Sequence, residues 1–269
     1  MARVTALWIY PVKSCGGIAL ETVEVLTQGF QGDRQWMIVD ADGKFLSQRQ
    51  YPQLARVKPH MIEDNLTLTF DDFSPLKLSP KTVGSLKPVT IWRNQTQALD
   101  QGPEAAAWFS EVLQTPCRLV RQSPDHPRPV NPKYALWETQ NVSFADGYPV
   151  LLTNTASLKL LEEKLGAAVS INQFRPNLVV ETAQPFAEDH WQTVDIGGTT
   201  FVTAKPCERC IVITTNQTTG DRHPTQEPLR TLGTFRRTAK GILFGINLMP
   251  TSSGKISVGD AVILDSTMF

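Results

Sequence analysis

Cysteine is scarce in this chain. Four in 269 residues are too few for the disulfide framework of a small secreted scaffold and suit a reducing cytoplasm. Neither sign of charge is in excess: Lys and Arg total 26, as do Asp and Glu, so the formal net charge is zero. That balance argues against a nucleic-acid polymer or an anionic membrane as partner, though a local basic pocket fits inside a neutral total. No apolar run approaches the roughly 20 residues of a membrane span. The opening "MARVTALWIYPVKSCGG" is interrupted by Pro11 and Lys13 too early for a secretory leader. Internal repeats and low-complexity tracts are missing too. With 41% hydrophobic and 19% charged residues, the composition is that of a globular protein able to bury a large core.

What is present is strand-rich. "RVTALWIYPV", "ALETVEVL", "ARVKPHMI", "LTLTF" and "PVTIWRNQTQALD" are short β-branched or alternating runs separated by turn residues. "RQWMIVDADGKFLSQRQ" reads as two strands joined at Asp42-Gly43, a strong hairpin signal. A helix follows in "GPEAAAWFSEVLQTP": Pro103 suits its first turn, Pro116 closes it, and Ala105, Trp108, Phe109, Val112 and Leu113 share one face. Residues 123–133, "SPDHPRPVNPK", hold four prolines in eleven positions and read as a linker or long loop. A second helix, "TASLKLLEEKLG", ends at Gly166, a natural left-handed cap. "PNLVVE", "TTFVTAKP", "CIVITTN", "ILFGINLM" and "ISVGDAVIL" continue as strands, and "EPLRTLGTFRR" is a short helix. The expectation is mainly β with a few helices (α+β), in two strand-rich halves, 1–122 and 134–269, built as small barrels or sandwiches.

The chemistry concentrates at "KPCERC", where Cys207 and Cys210 form a C-x-x-C pair. Several uses compete. A structural zinc site needs four ligands, but Cys15 and Cys117 stand alone and the histidines at 60, 126, 190 and 223 lack ligand spacing. A thioredoxin-type dithiol wants a helix N-terminus at its first cysteine, whereas here "IVITT" reads as a strand. Two buried cysteines packing as small hydrophobes is the plain alternative. Arg209 inside the motif weighs against it, by placing a cation beside Cys210. Elsewhere, Lys13-Ser14 in "YPVKSCGG" offers an ammonium, a hydroxyl and turn N–H groups to an anion, without the glycines of a phosphate-binding loop. Arg34 in "GDRQW" and Arg175 in "QFRPN" are, taken singly, ordinary salt-bridge candidates.

Together, "YPVKSCGG", "GDRQWMIVD", "NQFRPNLVV", "KPCERC…TTNQTTG", "LFGINL" and "ISVGDAVIL" occur in the order and rough spacing of MOSC-domain proteins that carry the MOSC N-terminal β-barrel. The chain most resembles the amidoxime-reducing component and its bacterial relatives, over nearly its whole length. The resemblance implies a MOSC N-terminal β-barrel-like domain over 1–122, the Pro-rich segment 123–133, and a MOSC β-barrel domain over 134–269. It also implies the molybdenum cofactor (Mo-molybdopterin), with Cys210 as metal ligand and Cys207 not a ligand. Carried over position by position, Lys13, Ser14, Arg34, Arg175, Asn177, Glu208 and Arg209 match cofactor contacts, as do Gly147, Tyr148 and Asn247. Glu208 departs from the small polar residue of amidoxime-reducing members. The implied activity is reduction of small N-hydroxylated compounds (amidoximes, hydroxylamines, N-hydroxylated bases). Electrons are expected from a separate ferredoxin, flavodoxin or reductase, since the chain shows neither a dinucleotide fingerprint nor cysteines for an iron–sulfur cluster. The alternative is a non-redox MOSC module that carries cofactor or sulfur as a persulfide on Cys210.

Overall fold

The computed structural model describes residues 2–62, 65–79 and 84–264. Its main feature is a closed ring of seven strands, in the order Val150–Asn154, Leu178–Glu181, Ala2–Ile9, Ala261–Leu264, Thr193–Ile196, Thr199–Arg209 and Gly241–Pro250, the last pairing back onto the first. The N-terminal strand therefore completes a barrel whose other members lie between residues 150 and 264. All neighbours in the ring are antiparallel except Val150–Asn154 with Leu178–Glu181. A parallel pair needs a crossover, supplied here by helix α2, Thr155–Leu165. Asn154 caps α2 by accepting from Ala156 N at 3.0 Å, and Gly166 ends it at φ 74°, as the sequence implied.

Inward side chains alternate along the ring strands and fill it: Leu152, Val180, Val194, Phe201, Ile246 and Leu248 are fully buried. In Ala2–Ile9 the buried positions are Val4, Leu7 and Ile9, a spacing of three followed by two. A register shift between Val4 and Ala6 accounts for it, because a bulge switches which face later residues present.

The rest of the chain forms smaller sheets. Trp36–Val39, Arg118–Gln122, Asn94–Asp100 and Leu86–Ile91 make an antiparallel four-stranded sheet. Helix α1, Gly102–Leu113, buries Ala105, Phe109, Val112 and Leu113, and Gln114 caps it in the left-handed region. Trp108 stays at the margin of that core. Thr22–Leu26 pairs with Gly254–Ser257, linking the start of the chain to its end. The expected class is found: mainly strands, with three α-helices among the described residues, in two strand-rich parts. Among the described residues no helix is long and apolar enough to cross a membrane.

Three local readings change. The second arm of the Asp42-Gly43 hairpin shrinks to isolated bridges at Lys44 and Phe45. Strands Arg118–Gln122 and Thr193–Ile196 lie where the sequence suggested none, the first because its charged ends hide a short apolar centre. "CIVITTN" is not a strand: Ile211–Thr214 make one 3₁₀ turn, and Ile213 is drawn into the cluster around Phe174 and Phe244.

The proline-rich segment is pinned by Arg128. Its side chain is 2% exposed and donates to the carbonyls of Ser143 (2.9 Å), Ala145 (2.6 Å) and Asp146 (3.1 Å). Burial pulls its pKa down to about 10, so it remains charged at neutral pH. Replacing Arg128 with Ala leaves three carbonyls without their donor and should cost at least about 3 kcal/mol, read as a lower denaturant midpoint. Unchanged stability would mean that this loop is held elsewhere.

Candidate functional site

A cleft opens where three turns meet the end of the long ring strand Thr199–Arg209. One turn follows the first strand. Lys13 N donates to Trp36 O at 2.8 Å, which aims the Lys13 side chain inward, and Ser14 turns the chain at φ 72°. The second is the Asp33-Arg34 turn, where Arg34 sits at φ 46°. The third ends the 3₁₀ turn Ile171–Phe174 with Arg175 at φ 54°. Non-glycine residues avoid positive φ, and such outliers persist only where their surroundings over-determine them, often at functional sites. All three line this one cleft.

Main-chain oxygens hold most of the cations. Lys13 Nζ donates to Phe144 O at 2.8 Å and to Asp146 Oδ1 at 2.6 Å. Burial pushes the Lys13 ammonium down to about 8, with Asp146 opposing the shift. The Asp146 carboxyl itself, despite desolvation that acts to raise it, is held well below the usual carboxylate range, chiefly by Lys13. Arg34 donates to Asp33 Oδ2 at 2.6 Å, Asn177 Oδ1 at 2.8 Å and Arg175 O at 3.2 Å. Asn177 completes that set by donating to Trp8 O and accepting from Leu151 N. Arg34 and Arg175 both face the Tyr10 ring, at 4.6 and 4.2 Å from its centroid.

Two guanidinium nitrogens of the cleft arginines are left over. Arg175 gives Nη1 to Gln217 Oε1 at 3.2 Å. Arg209 gives Nε to Phe244 O at 2.9 Å and Nη1 to Phe174 O at 3.1 Å. Nη2 of each is buried without a partner. Burial lowers the Arg175 pKa to about 10, so its charge persists at neutral pH. Five cations line the cleft (Lys13, Arg34, Arg49, Arg175 and Arg209) against two carboxylates, Asp146 and Glu208. Glu208 is exposed and pairs with Lys205 at 2.7 Å. Unpaired buried donors are costly, and this charge balance suits an anion.

Cys210 lies at the end of the ring strand and lines the cleft with Cys207. Neither is in a disulfide. Arg209 is not the cation beside Cys210, because adjacent residues at a strand end point apart and its guanidinium goes to the two phenylalanine carbonyls. Arg49 takes that place, with Nη2 3.3 Å from Cys210 Sγ and its guanidinium carbon 4.4 Å from the Trp92 ring centroid. Burial raises the Cys207 thiol, with Arg209 pulling the other way. The cysteines are thus inequivalent in their surroundings.

All eleven sequence-nominated residues line this cleft: Lys13, Ser14, Arg34, Gly147, Tyr148, Arg175, Asn177, Glu208, Arg209, Cys210 and Asn247. Their availability differs. The Asn177 side chain is occupied within the protein, as is most of Arg34. The position of Gly147 leaves open space where a Cβ would stand. Asn247 donates to Lys205 O at 3.3 Å. Tyr148, its hydroxyl raised to about 12 by burial, packs edge-on against Tyr134. Sequence reading missed Arg49, Asp146 and the pair Gln48–Gln217, linked at 3.1 Å; no motif or spacing marks them. The cleft encloses about 150 Å³, and Asp146, Gly147 and Tyr148 also line an adjoining cavity of about 460 Å³. Among the described residues no three His, Cys, Asp or Glu side chains converge to hold a metal by themselves.

Known proteins show the same two-part organisation. Residues 1–116 match the MOSC N-terminal beta barrel domain and residues 139–263 match the MOSC domain. Mitochondrial amidoxime reducing component 2 of Bos taurus is 34% identical over 281 residues, covering 97% of this chain and 83% of the relative. Mitochondrial amidoxime-reducing component 1 of Homo sapiens is 32% identical, covering 98% and 83%. Molybdenum cofactor sulfurase of Drosophila erecta is 32% identical over 98% of this chain, which spans 35% of that longer protein. With these matches over nearly its full length, the chain belongs to the MOSC-domain family, in the form that joins a MOSC N-terminal β-barrel to a MOSC domain.

Proposed function

We propose that this protein is a molybdenum-cofactor-dependent oxidoreductase that reduces N-hydroxylated compounds to amidines or amines. The observation that carries the reading is the pair of buried, unpartnered Nη2 atoms of Arg175 and Arg209, in a cleft that also holds Cys210. These residues fit the group. A soft thiolate suits molybdenum, and guanidinium groups suit phosphate and other oxyanions. When bound, the cofactor would supply two-electron reductive removal of oxygen from the substrate.

The remaining roles fall to the chain. Cys210 would ligate the metal, with the Arg49 guanidinium 3.3 Å from its sulfur. Arg175, Arg209, Lys13 and the Ser14 hydroxyl would bind the anionic parts. Arg34 and Asn177 act one layer back: they fix the Arg175 backbone and Leu151, and so aim the cationic turn. Cys207 packs beside the site without holding the metal. Electrons would arrive from a separate ferredoxin, flavodoxin or reductase through a small, transient interface.

A second reading, carriage of cofactor or sulfur with a persulfide on Cys210, is favoured by the sulfurase relatives. The same Arg49 contact suits an anionic sulfur of either kind. Protein from a cofactor-competent host separates the two. Stoichiometric molybdenum, with benzamidoxime reduction driven by reduced viologen but not by NADPH alone, supports the enzyme. Persulfide on Cys210 with little metal supports the carrier.

Replacing Cys210 with Ala should reduce molybdenum content to background, while Cys207→Ala keeps most of it; equal loss in both variants would point to a shared-ligand site. Lys13 sets a pH dependence. Its ammonium discharges as pH rises through about 8, so cofactor retention should fall there, and Lys13→Met should retain less and show no such step. The effect on folding has the opposite sign. Between about 8 and the ordinary lysine value the unfolded chain holds more protons, so the Lys13 contribution to stability rises with pH. Cofactor content and thermal melts measured from pH 6.5 to 9.5 would then diverge. A parallel fall of both, or retention that ignores pH, would contradict this role for Lys13.

A further inference from the structure

At the edge of the cleft, two glutamines 169 positions apart form a closed amide pair. Gln48 Nε2 donates to Gln217 Oε1 at 3.1 Å, and Gln217 Nε2 returns a bond to Gln48 Oε1 at 3.2 Å. Their spare bonding capacity is used as well. Gln48 Nε2 also donates to Ser14 O at 2.7 Å, and Gln217 Nε2 to Thr215 O at 3.1 Å. Gln217 Oε1 accepts a second bond, from Arg175 Nη1 at 3.2 Å. Each amide nitrogen thus spends both of its hydrogens. These contacts fix the orientation of both amides, because turning either one over would set an oxygen against the carbonyl of Ser14 or of Thr215. Gln48 is buried, and Arg222 Nη2 anchors its backbone by donating to Gln48 O at 2.9 Å.

The pair reaches two of the turns that build the cleft, gripping one by the Ser14 carbonyl and the other by the Arg175 guanidinium. Ser14 and Arg175 both sit at positive φ, a conformation that persists only where neighbours over-determine it. The choice of an amide matters at position 217. A carboxylate there could accept from Arg175, but it could donate to neither Gln48 nor Thr215, and its charge would offset that of the guanidinium. An amide accepts, donates and stays neutral, so Arg175 is held in place with its charge left for the cleft. We infer that Gln217 is a positioning residue: by taking Arg175 Nη1 it sets the direction in which the guanidinium meets a bound anion, and Gln48 braces it. This role rests on the reading that the cleft binds the anionic parts of a cofactor. Gln217 acts through Arg175 rather than by touching the anion.

Pyrophosphate is the probe, titrated calorimetrically at neutral pH against the full chain purified from a host that makes no molybdenum cofactor. Gln217→Leu should bind it about fivefold more weakly, the scale of one net hydrogen bond. In an Arg175→Met background the same change should have little further effect. That cycle separates positioning from a general loosening of the fold, which would weaken binding equally in both backgrounds. Gln217→Glu keeps the shape and an acceptor for Nη1 but adds a negative charge, and should weaken binding more than Gln217→Leu does. It keeps the test decisive if Gln217→Leu does not fold. Unchanged binding in either Gln217 variant, or an equal loss with and without the Arg175 side chain, would overturn the positioning role and leave the anion cleft standing. A wild-type chain that ignores pyrophosphate, or binding unaffected by Arg175→Met, would overturn the anion cleft and the positioning role together.

Discussion

Cations held by main-chain carbonyls organise this molecule. Arg128 grips Ser143, Ala145 and Asp146; Lys13 grips Phe144; Arg34 grips Arg175; Arg209 grips Phe174 and Phe244. A carbonyl oxygen satisfies a donor without cancelling its charge. A carboxylate would do both, and would remove the field that makes the cleft useful. Each buried cation therefore joins segments distant in sequence and leaves the cleft positive, although the whole chain has no net charge. Asp33 and Asp146 are the exceptions, one fixing Arg34 and the other fixing Lys13.

This arrangement joins the two parts of the fold. Lys13, Arg34 and Arg49 come from the first fifty residues, whereas Arg175, Arg209 and Cys210 come from the barrel half of the chain. Their contacts cross between them: Arg34 to Asn177, Arg49 to Cys210, Gln48 to Gln217 and Arg222 to Gln48. Three of the eight described non-glycine residues at positive φ lie in the same place: Ser14, Arg34 and Arg175. Such turns face inward because the groups they present are worth more than the strain costs, about 1–3 kcal/mol for each outlier.

Much of this was legible in the sequence. Period-two runs marked most of the ring strands, and the pattern from Ala105 to Leu113 and the cap at Gly166 marked two helices. The family resemblance nominated eleven residues that share one cleft. What escaped was non-local. Nothing in "SQRQ" connects Arg49 to Cys210, 161 positions later, and Asp146 gains its meaning only when Lys13 reaches it. The 3₁₀ turn after Cys210 was hidden because a β-branched run reads as a strand unless tertiary packing claims it, as the Phe174–Phe244 cluster claims Ile213. Burial of Arg128 inside a proline-rich stretch was equally invisible, since composition marks irregular backbone without saying whether it is anchored.

A crystal structure of the protein purified from a molybdenum-cofactor-competent host tests the central claim most directly. An anion-holding cleft predicts that Nη2 of both Arg175 and Arg209 lies within hydrogen-bond distance of cofactor oxygens, with Cys210 Sγ on the metal and Cys207 off it. A cofactor bound elsewhere, with both nitrogens still unpartnered, would contradict it.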